Sequence, residues 1–329
     1  MHDHIASVTG HIAGAAGHID IGSSIPAFER QSEFAHWNRY AAVNDEFIDV
    51  HMSADAARAA GQPDVFGMGN LRVAYVHNAL HDWLGDAGDI SMFQCQFRAL
   101  NFLGDTLRAT ASVTAESSVD GQRVIDLDIG VVNQNGDETM PGKARVVLFG
   151  DGVPRMPAPE PGREITRRSA GVHLDEATLD HLGRPLDVVH SLPVDANDIR
   201  RWAQAVYYPA AAPPDLYDID VAAKGPWGGL VAPRDFNAYA WNPDYHPEAY
   251  PWMRGMGTEP GGRGLNGGQC SWYFAPIRVG DVMASEVTLI DAFERDGRLG
   301  TMMFLVDEAR WTNQRGELVR IGQRTSIYY

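Results

Sequence analysis

Apolar and polar residues alternate along "TLRATASVTAES" (106–117), "QRVIDLDIGVVNQ" (122–134) and "KARVVLFG" (143–150). A period of two places one set of side chains on each face of a β-strand. The turn-forming runs "VDGQ" and "NGDE" separate the stretches, so they predict an antiparallel meander. The pattern returns near the C-terminus in "VMASEVTLIDAF" (282–293), "LGTMMFLVDEARWTN" (299–313) and "LVRIGQRTSIYY" (318–329). A different period runs through "MGNLRVAYVHNALHDWL" (68–84), where apolar residues recur at helical spacing and Gly85 can end the helix. His77 and His81 fall four apart on that helix and share a face, which predicts packing or surface roles. The corresponding stretch of the second half, "RDFNAYAWNPDYHPEAYPW" (234–252), is interrupted by Pro243, Pro247 and Pro251, which a long helix cannot accommodate. That half is expected to hold open space walled by Trp241, Tyr245, Tyr250 and Trp252, or to refill it with the same aromatic loop.

These correspondences belong to an internal repeat with the period of a whole domain. "RYAAV" (39–43) matches "RWAQAV" (201–206), "FRALNFLGDTLRATASVT" (97–114) matches "YFAPIRVGDVMASEVTLI" (273–290), and "VVNQNGDE" (131–138) matches "RWTNQRGE" (310–317). Asp105 and Asp281 recur within it as "GD" pairs ahead of strands, which favours a turn role. Between the copies, residues 151–171 are rich in proline and polar residues and read as a linker. The expected organisation is a tail (1–24), a first domain (25–150), the linker and a second domain (172–329). Each domain packs an antiparallel sheet on a central helix, an α+β design.

Composition narrows the functions. A net charge of −16 argues against a general nucleic-acid binder. No apolar run is long enough for a membrane span, and the N-terminus lacks the pattern of a signal peptide, so a cytoplasmic protein is expected. Cys95 and Cys270 match no metal spacing. His2, His4, His11 and His18 lie in the tail without cysteine or carboxylate companions, so no metal site is expected there.

The stretch "YAAVNDEFIDVH" (40–51), with "ADAARAAG" (54–61), "FGMGN" (66–70) and the strands from Phe97, resembles the MaoC-like (R)-specific enoyl-CoA hydratases and dehydratases. "GPWGGLVAP" (225–233) and the strands from Pro276 resemble the other half of their two-domain form. Together the resemblance covers roughly residues 25–329. It implies a double hot-dog fold, in which two antiparallel sheets each wrap a central helix and join edge to edge. It implies a lyase of lipid metabolism that interconverts 2-enoyl and 3-hydroxyacyl thioesters, with coenzyme A as the expected carrier, without metal or redox cofactor. It also allows a homodimer. By position it makes Glu46 and His51 the catalytic pair, with glutamate where the family has aspartate and Asp45 as reserve acid. Gly69 stands where the family offers a backbone N–H to the thioester oxygen; Met68–Gly69–Asn70 replaces the usual histidine–glycine–methionine. Tyr217 occupies the histidine position of the second half, so that half is expected to bind substrate and not to catalyse.

Hydration suits such a pair. A carboxyl and an imidazole can exchange protons with water and with the α-carbon, and a helix N-terminus can hold the developing oxyanion. Which group serves water is left open by the sequence, as is a solvated cap in place of a site. Met68, Asn70, Trp241 and Tyr250 are expected to contact substrate, with Arg254 and Arg263 of a glycine-rich loop as phosphate contacts for coenzyme A. Room in the second half points to a bulky or medium-to-long acyl group. A hot-dog thioester hydrolase and a non-catalytic acyl-CoA-binding subunit are the alternatives.

Overall fold

The computed structural model describes residues 19–158, 165–254 and 259–329. The histidines of the tail and part of the linker lie outside these residues. The first half supplies strands β1 (Phe28–Gln31), β2 (Gly88–Gln96), β3 (Thr106–Val119), β4 (Gln122–Val132) and β5 (Glu138–Leu148). The second supplies β6 (Val189–His190), β7 (Gly264–Tyr273), β8 (Met283–Gly297), β9 (Gly300–Asn313) and β10 (Leu318–Tyr328). They form one sheet in the order β1-β3-β4-β5-β2-β7-β10-β9-β8-β6, with every pair antiparallel. The halves meet where β2 pairs with β7, from Met92 opposite Trp272 to Gln96 opposite Gly268.

The alternation predicted for the meander is present. Leu107, Ala109, Ala111 and Val113 of β3 are buried, and the residues between them are partly or fully exposed. Helix α1 (Phe34–Asn44) is followed by two short helices, α2 (Asp49–Met52) and α3 (Ala54–Ala59), and then by α4 (Gly69–Leu84). Buried residues lie on every side of α4, as expected for a helix enclosed by a curved sheet. Its buried polar groups therefore need internal partners. Arg72 donates to the carbonyls of Ala99 and Thr139 at 2.7 and 3.2 Å, and Asn78 donates to Val206 O at 3.0 Å.

The repeat is equally visible in the turns. Asp105 accepts from the Phe102 N–H at 2.7 Å, and Asp281 accepts from the Arg278 N–H at 2.9 Å. Gln134 and Gln314 donate to these two aspartates in turn. Asp105 and Asp281 thus serve as turn residues. After α5 (Glu176–Leu179), helix α6 (Ala196–Tyr207) repeats α1, and the two pack together with Tyr40 against Trp202.

One element differs between the halves. Residues 234–252 form turns and a single 3-10 turn at Pro247–Ala249, where a central helix was expected in each half. The three prolines remove backbone donors and obstruct the preceding turns, so no helix propagates. Among the described residues, no helix is long and apolar enough to cross a membrane.

Candidate active site

Helix α1 ends at Asn44, and Asp45 caps it in the left-handed conformation at φ 55°, its N–H returning to Ala41 O. Glu46 follows, directed inward. Its Oε2 accepts from Asn44 Nδ2 at 2.7 Å, and the Asn70 side chain gives a further hydrogen bond. Asn44 is itself held by the second half, because Asn237 Nδ2 donates to Asn44 Oδ1 at 3.0 Å. Burial raises the Glu46 pKa to about 7, against the opposing pull of Asn44 and Asn70. Glu46 therefore holds its proton to near neutral pH.

His51, on α2, is buried with its Nδ1 2.7 Å from Phe66 O. A carbonyl can only accept, so Nδ1 carries the hydrogen and Nε2 presents a lone pair. Burial lowers the His51 pKa and keeps the ring neutral. Glu46 and His51 are thus anchored at opposite ends of one segment, Phe66 to Asn70. Gly69 of this segment opens α4, and no side chain caps that end. A Cβ at Gly69 would stand 3.0 Å from the Phe97 ring, tighter than ordinary contact, so glycine keeps this helix end close to the ring without displacing it.

A cleft of about 250 Å³ begins at Asn44 and Asn70. It runs into the second half, over the concave sheet that lacks a helix. Tyr40, Asp235, Tyr245, Tyr250, Tyr273 and Arg320 are among its walls. The space expected from the prolines is present, but the walls are more polar than the aromatic lining expected for it.

Comparison with known proteins gives a fold, and a partial match to one family model. Residues 180–321 match the model of the FAS1-like dehydratase domain region. No curated protein matches the sequence. A putative MaoC domain dehydratase from Chloroflexus aurantiacus superimposes with a TM-score of 0.69 at 13% identity, over 98% of this chain and 99% of that one. The chain has a double hot-dog fold. A protein titled MaoC-like dehydratase gives a TM-score of 0.61 at 13% identity, covering 93% of this chain and 97% of its own. A conserved hypothetical protein from Mycobacterium tuberculosis, described as a double hot-dog, gives 0.59 at 13% identity, covering 94% and 97%.

The two halves of this double hot-dog present different mouths. Phe66 bridges Phe102 in the first half as Val231 bridges Arg278 in the second. Counting onward, Arg234 stands at the position of Gly69, and Asp235 at that of Asn70. The Arg234 guanidinium pairs with Asp89 at 2.8 Å and donates to the carbonyls of Phe274 and Ala275. No helix follows it to supply unpaired N–H groups. Tyr217 is partly exposed beyond a short turn. A carboxylate–imidazole contact does occur nearby, between His81 Nε2 and Asp215 Oδ2 at 3.0 Å. It ties α4 to the second half, whereas His77 is buried between Val73 O and the Tyr273 hydroxyl.

Several residues expected at the site lie elsewhere. Met68 is fully buried in the core, because its side chain points under the sheet while its backbone begins the turn into α4. Asp45 is exposed, and its carboxylate accepts from the Trp241 N–H. Trp241 is 58% exposed, with its indole N–H donating to Ala42 O at 2.7 Å, so it clamps a loop to α1. Arg254 binds His173 O and Asp175, at 3.1 and 3.0 Å, and serves as a structural tie. Arg263 is exposed just before β7 and does not border the cleft. Asn70 and Tyr250 do border it.

Tyr40, Asn44, Asp235 and Arg320 are among the cleft residues that were not expected from the sequence. Tyr40 and Asn44 are four apart on α1 and share its face, a signal present in the sequence. Burial, together with the charges of Glu46 and Asp235, raises the Tyr40 pKa well above its usual value. Asp235 and Arg320 reach the cleft only through the packing of the halves.

Proposed function

We propose that the protein is a hydratase or dehydratase that interconverts a 2-enoyl thioester and a 3-hydroxyacyl thioester of coenzyme A. The observation that carries this reading is the buried Glu46 carboxyl, held by Asn44 and Asn70 where the cleft meets the N-terminus of α4. Hydration needs a proton acceptor for water, a proton donor for the α-carbon and a site for the oxyanion. His51 Nε2 takes the proton from water, and the oxygen bonds to the β-carbon. The π electrons move through the α-carbon onto the thioester oxygen, which faces the Gly69 N–H. As the carbonyl re-forms, the α-carbon takes the Glu46 proton. A final proton exchange between the two groups restores them, and dehydration is the reverse. The depressed pKa of His51 and the raised pKa of Glu46 favour this assignment.

The acyl group extends into the second half on this reading, which gives space to a bulky or medium-to-long chain. The dehydratase-region match lies on that half. The reaction is nevertheless assigned to the first half, because Arg234 fills the glycine position of the other mouth.

One assay separates the alternatives. Purified protein is given crotonyl-CoA and a bulkier 2-enoyl-CoA, and both the conjugated double bond and free thiol are followed. Loss of the double bond without thiol release is expected. Thiol release would indicate a hydrolase, and binding with neither change would indicate a non-catalytic subunit.

A further inference from the structure

Two side chains that border the cleft, an arginine and an aspartate, have no ion-pair partner among the described residues. Arg320, on β10, reaches the cleft between the rings of Tyr273 and Trp311, whose centroids lie 5.8 and 5.1 Å from its Cζ. Its hydrogen bonds go to one neutral acceptor, Ser271 Oγ, at 3.3 Å from Nε and 2.9 Å from Nη2. Among the described residues, no carboxylate lies within ion-pairing distance of it. A guanidinium carries five N–H donors in a planar fork, so donors remain for a ligand. Arg324, on the same face of the same strand, is different, because it is neutralised by Asp307 at 2.9 Å.

The second group is Asp235. Both carboxyl oxygens are shielded from solvent and lack a well-formed hydrogen bond, with the Trp202 indole beside them. Burial raises its pKa, so it tends to keep its proton and adds little charge to neutralise Arg320. Arg320 and Asp235 border one cleft without pairing with each other.

We propose that the acyl group received by this cleft carries a second, anionic group, a carboxylate, which is bound by Arg320. This rests on the thioester reading of the same cleft. A carboxylate accepts two parallel hydrogen bonds from a guanidinium, and Arg320 has donors left for them after its bonds to Ser271. A plain alkyl chain would leave those donors without a partner.

The test uses saturated thioesters, which cannot be hydrated, so that binding is read apart from turnover. Calorimetry compares glutaryl-CoA with its ω-methyl ester on the wild-type protein and on Arg320→Gln and Arg320→Lys. The wild type should bind the acid at least about 30-fold more tightly than the ester, the range expected when a charge pair is completed in a desolvated site. Arg320→Gln should reduce that ratio to about threefold or less, and Arg320→Lys should keep an intermediate preference. Thermal unfolding of each variant checks that it is folded. Equal binding of acid and ester by the wild type would overturn the inference, as would a preference that survives Arg320→Gln or no binding of either thioester. Acid selectivity without turnover of the unsaturated acid would sink the hydratase reading alone. Crotonyl-CoA hydration without acid selectivity would sink the inference alone.

Discussion

A carboxyl group withdrawn from water holds its proton more tightly, and Glu46 is withdrawn by the same packing that places it beside the cleft. On the proposed mechanism, hydration requires this proton on Glu46 and a lone pair on His51. The sign of the pH dependence follows. Above about pH 7 Glu46 ionises and the donor is lost, so kcat/KM for hydration should fall. Below the depressed His51 pKa, the imidazole takes a proton and loses its lone pair, so kcat/KM should fall again. A pH–rate profile should therefore be bell-shaped with its basic limb near 7, the two limbs belonging to the pair as a unit. A rate that keeps rising to pH 9 would contradict this order of titration. At this scale the resemblance pointed to Glu46, His51 and Gly69, and the structure ties Glu46 to Asn70 and His51 to Phe66 within one short segment. The sequence did not reveal side-chain direction. Met68 and Trp241 sit beside the right backbone but point into the core and out to solvent. Asp235 and Arg320 are separated from Glu46 by most of the chain, and no local pattern joins them.

Strands with clear alternation and turn residues at both ends, such as β3, β4, β8 and β9, were legible as elements. So was α4, whose apolar spacing is unbroken, and so was the failure of its counterpart at Pro243, Pro247 and Pro251. The two strands that join the halves were not legible. β2 and β7 each pair on both sides, and β7 begins Gly264-Leu265-Asn266-Gly267-Gly268, which has neither alternation nor β-branched residues. The glycines have a packing reason. Gly268 has φ 140°, and a Cβ there would collide with the Cys95 carbonyl across the seam. Gly268→Val should therefore strain the backbone and push the strands apart. The expected cost is about 2 kcal/mol or more, seen as a Tm lowered by several degrees. An unchanged Tm would mean that the seam tolerates a side chain there.

For the molecule as a whole, duplication has produced halves that share a sheet plan and differ in what stands at the mouth of each. The first keeps a central helix whose N-terminus is open at Gly69. The second has turns in place of the helix, an arginine in place of the glycine, and a cleft in the space released. Each depends on the other, since Asn237 of the second half positions Asn44, and Asn44 holds the Glu46 carboxyl. The repeat was readable from the order of matching segments, and the resemblance already implied a catalytic first half and a binding second half; the tie from Asn237 to Asn44 needed the packed structure, and the proposed division of labour is open to test. The most direct test of it is the rate of enoyl-CoA hydration by Glu46→Gln and His51→Ala beside the wild type. Each variant should fold, shown by an unchanged circular dichroism spectrum, and each should lose at least about 100-fold in kcat/KM, the scale of a general acid or base removed. Near-normal hydration by both folded variants would place the chemistry elsewhere and contradict the account.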